Sequence, residues 1–456
     1  MTNLVNHQPP PGDGAALDGT ALLTDHYELT MLQASLRSGA ADRRATFEVF
    51  ARHLPHGRRY GVVAGTGRLL DAIARFRFGP ADLEFLGGAG IVDEPTLAFL
   101  GSYRFGGNIW GYSEGDCYFP GSPILVVEGT FAEAVLLETV SLSILNHDCA
   151  IASAASRMVT AAGDRPLIEM GSRRTHERAA VASARAAYIA GFASTSNLRA
   201  RYEHGIPSAG TSAHAFTLVH DSERHAFETQ LASLGPATTL LVDTYDVPRA
   251  VRTAVEVAGR DLGAVRIDSG DLPALARQVR ALLDELGATR TRIILTGDLD
   301  EFSIAALGAV PVDGYGVGTS LVTGSGAPTA ALVYKLVARA SSADGDDDEM
   351  EPVAKRSVGK PGRGGRKWAV RHRDQHGTAL SERVSLSPPG AGPLDRELLV
   401  PLVADGQIIG PTGAEWVQEA RARHREALAE LPPYARQLSR GYPAIPTIFD
   451  PDGAEP

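Results

Sequence analysis

The chain has 456 residues, more than one ordinary domain core holds, so two or three packed units are expected. Its formal net charge of −10, with no basic stripe, argues against a nucleic-acid partner. Two cysteines, Cys117 and Cys149, are too few and too far apart for a disulfide framework or a zinc site, and they fit a reducing cytoplasm.

Residues 1–20 lack a basic start followed by an apolar core, and read as a flexible leader rather than a signal peptide. No apolar run looks long enough to span a bilayer, so no membrane partner is expected. The segment 45–51, ATFEVFA, predicts a strand, followed by the loop HLPHGRRYG and a turn into a helix over 60–75. There the GTG at 65–67 is a weak glycine match and reads as a helix start. PILVVEG at 123–129 predicts another strand. Over 132–160, Ala134, Leu137, Val140 and Ile144 recur at helical spacing.

The middle of the chain changes character. TTLLVDTYD (238–246), AVRIDSGDL (264–272), TRIILTGDLDE (291–301) and VDGYGVGTSL (312–321) are short β-branched runs, the first three each followed by a helix-like stretch. Alternating strands and helices imply a parallel sheet, and a period of roughly 20–30 residues suits a (β/α) barrel, with a doubly wound sheet as the other architecture. Residues 341–351 read as a solvated acidic loop. The tract 352–371 is basic and glycine-rich, and 413–430 predicts an amphipathic helix. The only lysines, Lys335, Lys355, Lys360 and Lys367, fall in one stretch. They are either surface residues or compact charges for a phosphate.

Chemistry concentrates at the strand ends, which carry Asp243, Asp246, Asp268, Asp271, Asp298 and Asp300. Any one such aspartate is most simply a helix cap, whereas three successive strands ending this way favour a site for ribose hydroxyls or hydrated Mg²⁺. The glycine-rich GYGVGTSLVTGSG (314–326) can cradle a phosphate with backbone N–H groups, but lacks the GK[ST] ending of a P-loop. His214 in AGTSAHAF is either a structural histidine or a nucleophile. Arg173 and Arg174 in EMGSRRTHE either open a solvated helix or grip a carboxylate or phosphate.

Taken together, LLTDHYELTM (22–31), ATFEVFARHLPHGRRYGVVAG (45–65), VEGTFAEAVLLETVSLSILN (127–146), EMGSRR (169–174), STSN (194–197), GTSAHAF (210–216), VRIDSGDL (265–272), TGDLDE (296–301) and YGVGTS (315–320) resemble, in order, the nicotinate phosphoribosyltransferase family. The resemblance implies a type II phosphoribosyltransferase fold, an irregular α/β barrel beside an open sandwich, acting as a homodimer. On that fold, 21–130 would form the sandwich, 131–340 the barrel, and 352–456 would pack on the N-terminal domain.

The resemblance also implies ATP-coupled joining of nicotinate to 5-phosphoribosyl 1-pyrophosphate, with Mg²⁺, in NAD synthesis. It places Asp25 and Tyr27 over the pyridine ring of a neighbouring subunit and Arg173, Thr195, Ser196, Thr211 and Ser269 around substrate. Arg266 and Asp268 fall at the ribose and base site, and Gly297, Asp298, Gly316, Gly318 and Thr319 at the phosphates. His214 aligns with a histidine that ATP phosphorylates. Metal ligands are not assigned. Departures from the family pattern are Met170 where an aromatic residue is common, STSN for GTSN, and ASAASR (152–157) without a lysine. A same-fold enzyme for nicotinamide or quinolinate, or a non-catalytic sensor of the donor, are the rival expectations.

Overall fold

A computed structural model describes residues 19–342, 350–355, 363–390, 392–409 and 413–450. The expected leader lies outside them except Gly19 and Thr20, as do Lys360 and most of the expected acidic loop. Two main sheets organise the chain, one antiparallel with seven strands and one parallel with six.

The antiparallel sheet is built around Arg44–Ala51, whose near-continuous apolar run is buried on both faces. It pairs on one side with Pro123–Thr130 and on the other with Leu332–Ala340. Phe47 stacks on Tyr334 across the second pairing, with ring centroids 4.9 Å apart. The stretch 332–340 was expected in the barrel; it joins this sheet instead, pairing along Arg44–Ala51. Met350–Pro352, whose first two residues were expected in the acidic loop, adds an edge strand, and Leu399–Ala404 pairs with Asn108–Tyr112. The sheet therefore gathers segments from both ends of the chain.

In the parallel sheet the spatial order is Ser194–Thr195, Leu167–Glu169, Gly314–Val317, Arg292–Leu295, Ala264–Ile267, Thr239–Leu241. A doubly wound sheet would place its first strand inside and reverse direction. Here first and last strands are neighbours, with Tyr315 opposite Leu167, as in a barrel. Among the described residues the ring stays open between Ser194–Thr195 and Thr239–Leu241. Residues 196–238, which include His214, bridge that seam. The first two barrel strands, of three and two residues, are too short to show a sequence pattern.

The helix Glu138–Ala162 connects the two halves. Its small residues, including Ala150, Ala152, Ser153, Ala154 and Ala155, let neighbours approach closely, and nearly all of its central turns are buried. With the preceding turn it forms a stretch, Phe131–Ala162, long and apolar enough to cross a membrane by composition, contrary to the sequence expectation. Most of it is buried in the protein, and it carries the ion-paired Asp148 and Arg157, as a core helix does.

A charge cluster fastens the C-terminal part. Arg371, fully buried, donates to Asp116 at 3.1 Å and to Glu382 at 2.5 Å, and Arg396 donates to Asp116 and Glu430, each at 2.8 Å. Burial alone would raise the Asp116 carboxyl, but the charges of Arg371 and Arg396 outweigh it and hold it at about 2. Of the clustered lysines, Lys367 is buried against Glu48 at 2.9 Å, which gives it a structural partner rather than a phosphate.

Candidate active site

The C-terminal ends of the parallel strands converge on one rim, where loop residues are free to vary while the strands hold them in register. Arg266, one residue before the end of its strand, ties three segments together. Its Nε donates to Thr296 Oγ1 at 2.8 Å, Nη2 to Asp268 Oδ1 at 2.9 Å, and Nη1 to Thr211 Oγ1 at 3.1 Å. Burial pushes the Asp268 carboxyl up, but hydrogen bonds from Thr296 and Arg266 and the Arg266 charge prevail, so it stays below the usual carboxylate range. Asp243 accepts the Asp268 backbone N–H and the Ser269 hydroxyl on Oδ2, both at 2.8 Å. Its Oδ1 is buried without a partner among the described residues.

The six strand-end aspartates divide by position. Asp246, Asp271 and Asp300, the later member of each pair, cap the following helices by accepting from Arg249, Ala274 and Ser303 backbone N–H groups. Asp243 and Asp268 join the rim cluster, and Asp298 lies exposed in the turn after its strand. The later aspartate of each pair thus caps a helix, and two of the three earlier ones join the rim cluster.

His214 begins a short helix in the seam-spanning segment, its Nδ1 3.1 Å from Thr244 Oγ1. Through Thr244 and the Thr211–Arg266 bond it belongs to the same cluster. Gly297 has φ +103°, and a Cβ there would sit 2.4 Å from the Asp268 carbonyl oxygen, so only glycine allows this close approach. Gly316 lies within its strand, where a Cβ would collide with Thr296 and Met170; it opens room beneath the rim. Gly318 and Thr319 follow directly, at the start of a helical turn. The remainder of this glycine-rich loop is clamped from outside the barrel. His56 Nε2 meets the Gly326 carbonyl at 3.0 Å, Arg58 donates to the Gly324 carbonyl, and Ser325 bonds Glu301, itself paired with Arg157 at 3.0 Å.

A second group lies on the first two strands. Thr195 is fully buried and its hydroxyl serves Glu169, while Ser196 is exposed with its N–H on the Glu169 carbonyl at 2.8 Å. Arg173 is exposed in the loop after Glu169 and has no hydrogen-bond or ion-pair partner among the described residues. Glu169 and Thr296 did not stand out as site builders in the sequence. Glu169 and Thr296 carried the same signal as Asp268, a polar residue at the end of a strand.

Asp25 and Tyr27 lie elsewhere in the chain. Asp25 accepts from Thr139 at 3.2 Å, and Tyr27, 46% exposed, faces Glu138. Among the described residues neither bonds to the rim cluster. Beneath them Glu28 is fully buried, accepts the Thr139 N–H at 2.8 Å, and is bonded by the Thr24 and Thr139 hydroxyls. Burial pushes its carboxyl up to about 7 against those hydrogen bonds.

Comparison with known proteins bears on this geometry. Residues 22–146 match the nicotinate phosphoribosyltransferase (NAPRTase) N-terminal domain. The chain is 57% identical to nicotinate phosphoribosyltransferase pncB1 of Mycobacterium tuberculosis over 457 aligned positions, covering 96% of this chain and 98% of that one. It is 38% identical to nicotinate phosphoribosyltransferase of Bacillus subtilis, covering 70% and 67% of the two chains. In fold it is similar to human nicotinic acid phosphoribosyltransferase, with a TM-score of 0.80 at 24% identity over 94% of this chain and 98% of that one. With near-full-length identity of this degree, a strand-end rim and a barrel-plus-sandwich architecture, the chain belongs to the nicotinate phosphoribosyltransferase family.

Proposed function

We propose that this chain joins nicotinate to 5-phosphoribosyl 1-pyrophosphate, giving nicotinate mononucleotide and pyrophosphate for NAD synthesis. The observation that carries the reading is the Arg266–Asp268–Thr296 cluster at the strand ends of a chain with this kinship. In the reaction the pyridine nitrogen attacks the anomeric carbon, the bond to pyrophosphate breaks with its electron pair, and positive charge builds on the ribose. Asp268, held ionised, stabilises that charge. Backbone N–H groups around Gly297 and Gly318–Thr319 suit the phosphates. Arg173, exposed and unpaired among the described residues, is free to take the nicotinate carboxylate in a charge-assisted bond.

Among the described residues no group of three or more His, Cys, Asp or Glu side chains comes together for a metal, so Mg²⁺ would rest on Asp243, whose unpartnered Oδ1 is a hard oxygen at the rim, together with oxygens of the substrate phosphates. When bound, the ion would offset the charge of the departing pyrophosphate. The reading extends to ATP coupling and ligase-type turnover through phosphorylation of His214, whose Nδ1 is engaged by Thr244 while Nε2 has no hydrogen-bond partner among the described residues. It also includes a homodimer in which Asp25 and Tyr27 serve the neighbouring copy, since within one chain their partners are Glu138 and Thr139. The setting is a reducing cytoplasm, in keeping with two free, buried thiols.

Steady-state assays with nicotinate and nicotinamide, each with and without ATP, test the reading. Strong preference for nicotinate and stimulation by ATP are expected. Arg173→Ala should erase the preference, and His214→Ala should abolish ATP hydrolysis and stimulation while leaving slow transfer. Equal use of both bases by the native protein would overturn the assignment of substrate. ATP stimulation that survives His214→Ala would overturn the coupling.

A further inference from the structure

Arg173 projects from a loop that cannot hold its own shape by burial, because the arginine is exposed and bonds to nothing among the described residues. What fixes the loop lies underneath it. Glu169, the last residue of its strand, is fully buried. One carboxylate oxygen accepts the Gly171 N–H, inside the Arg173 loop, and the other accepts the Thr195 hydroxyl on the adjacent strand. Thr195 Oγ1 in turn accepts the Asn197 N–H at 2.9 Å, and Asn197 Nδ2 donates back to Ser172 Oγ at 3.0 Å. The chain of bonds closes on the residue next to Arg173.

The packing leaves no slack. A Cβ on Gly171 would lie 2.2 Å from Val322 Cγ1, so this backbone is pressed against the helical turn that follows Gly318. Burial without a cationic partner raises the Glu169 carboxyl, against the N–H and O–H groups that it organises. A buried carboxylate that serves two loops and no opposite charge is an expensive way to close a strand, and an effective way to fix two loops relative to each other.

We infer that Glu169 is a positioning residue for base recognition: it locks the loops 170–174 and 195–197 together so that Arg173 meets the carboxylate of the incoming base. The inference rests on the reading of Arg173 given above. Glu169 touches no reacting atom; it acts through Arg173.

The test is a double-mutant cycle on the full-length protein, with Glu169→Gln, Arg173→Ala and the pair, measured with nicotinate and nicotinamide. Glutamine is nearly the same size, but with its oxygen on the Gly171 N–H it turns its N–H₂ group to the Thr195 hydroxyl, whose own buried proton then loses the carboxylate that accepted it. The Glu169→Gln protein should raise the KM for nicotinate about tenfold, the loss of roughly one charge-assisted bond, and leave the KM for the phosphoribosyl donor within about twofold. The double variant should be no worse toward nicotinate than Arg173→Ala alone, since the second change has nothing left to misplace. Ser172→Ala cuts the outer link without touching the buried carboxylate and should raise the nicotinate KM in the same direction by about threefold. It decides the matter if the glutamine variant does not fold.

Additive effects in the cycle, or equal rises in KM for both substrates, would make Glu169 merely structural and overturn the inference. So would a nicotinate KM unchanged in Glu169→Gln, or in Ser172→Ala where that variant alone can be measured. Unchanged base preference in Arg173→Ala would instead overturn the reading of Arg173 itself, and the two failures are told apart by that single variant.

Discussion

Two clusters of arginines and carboxylates hold this molecule's most polar interiors, and they differ in what they leave open. Around Arg371 the charges are turned inward: Arg371, Asp116 and Glu382 are fully buried, Asp116 gives both carboxylate oxygens to guanidinium groups, and the one oxygen without a partner among the described residues, Glu382 Oε2, is sealed in the interior. Around Arg266 the groups are half-buried at the ends of parallel strands, glycines keep space beside them, and Asp243 retains a carboxylate oxygen with no partner among the described residues. The Asp116 carboxyl is displaced far from its ordinary value, yet nothing about its surroundings admits a substrate. A displaced pKa therefore marks strong interaction, and only position and access separate a site from a staple.

That contrast can be broken by substitution. The largest effect expected is on catalysis: Asp268→Asn should lower kcat/KM about 10³-fold, as for loss of a group that meets transition-state charge, with little change in melting temperature. Next comes Arg371→Met, which strands Glu382 in the interior and leaves Asp116 with Arg396 as its close guanidinium partner. It should cost about 3–5 kcal/mol in denaturant unfolding while the protein that remains folded keeps its kcat. If Asp268→Asn destabilised as much as Arg371→Met, or Arg371→Met altered kcat of folded protein, the distinction between the clusters would collapse.

A smaller effect sharpens the comparison at a third buried carboxyl. Glu28 has a folded pKa of about 7, above the ordinary 4.5, so the folded state prefers its neutral form. The stability this lends is fully present below the ordinary value and is lost as pH rises through about 7. Hydrogen exchange in the helix His26–Ser38 should quicken between about pH 5 and pH 8, and Glu28→Gln should flatten the dependence. An exchange rate that follows only the intrinsic pH dependence of amides would show that Glu28 does not control this helix.

Much of the site was legible before the fold was known, because a strand end is a place in sequence as well as in space. DTYD, DSGD and GDLD each closed an apolar run, and each supplied a helix cap; the first two also supplied Asp243 and Asp268 to the rim. Glu169 escaped notice because its strand has three residues, too short for any periodicity. Lys335 and Lys355 are exposed, as a surface reading of the lysines expects, but Lys367 departs from it: it finds Glu48, more than three hundred positions away in the chain, and no local pattern records such a partner.

The sequence by itself determined the alternation of strand and helix through the middle of the chain, the aspartates and glycines at the strand ends, and the kinship written in its ordered motifs. Those are local properties, set by side-chain chemistry and spacing within a few residues. The tertiary structure alone decided that Leu332–Ala340 leaves the barrel for the antiparallel sheet, that the barrel seam opens where His214 lies, and that one arginine cluster faces solvent while the other is sealed. Each of these depends on which distant segments fill the remaining hydrogen-bonding edges and exclude water, and that competition is settled only when the whole chain packs.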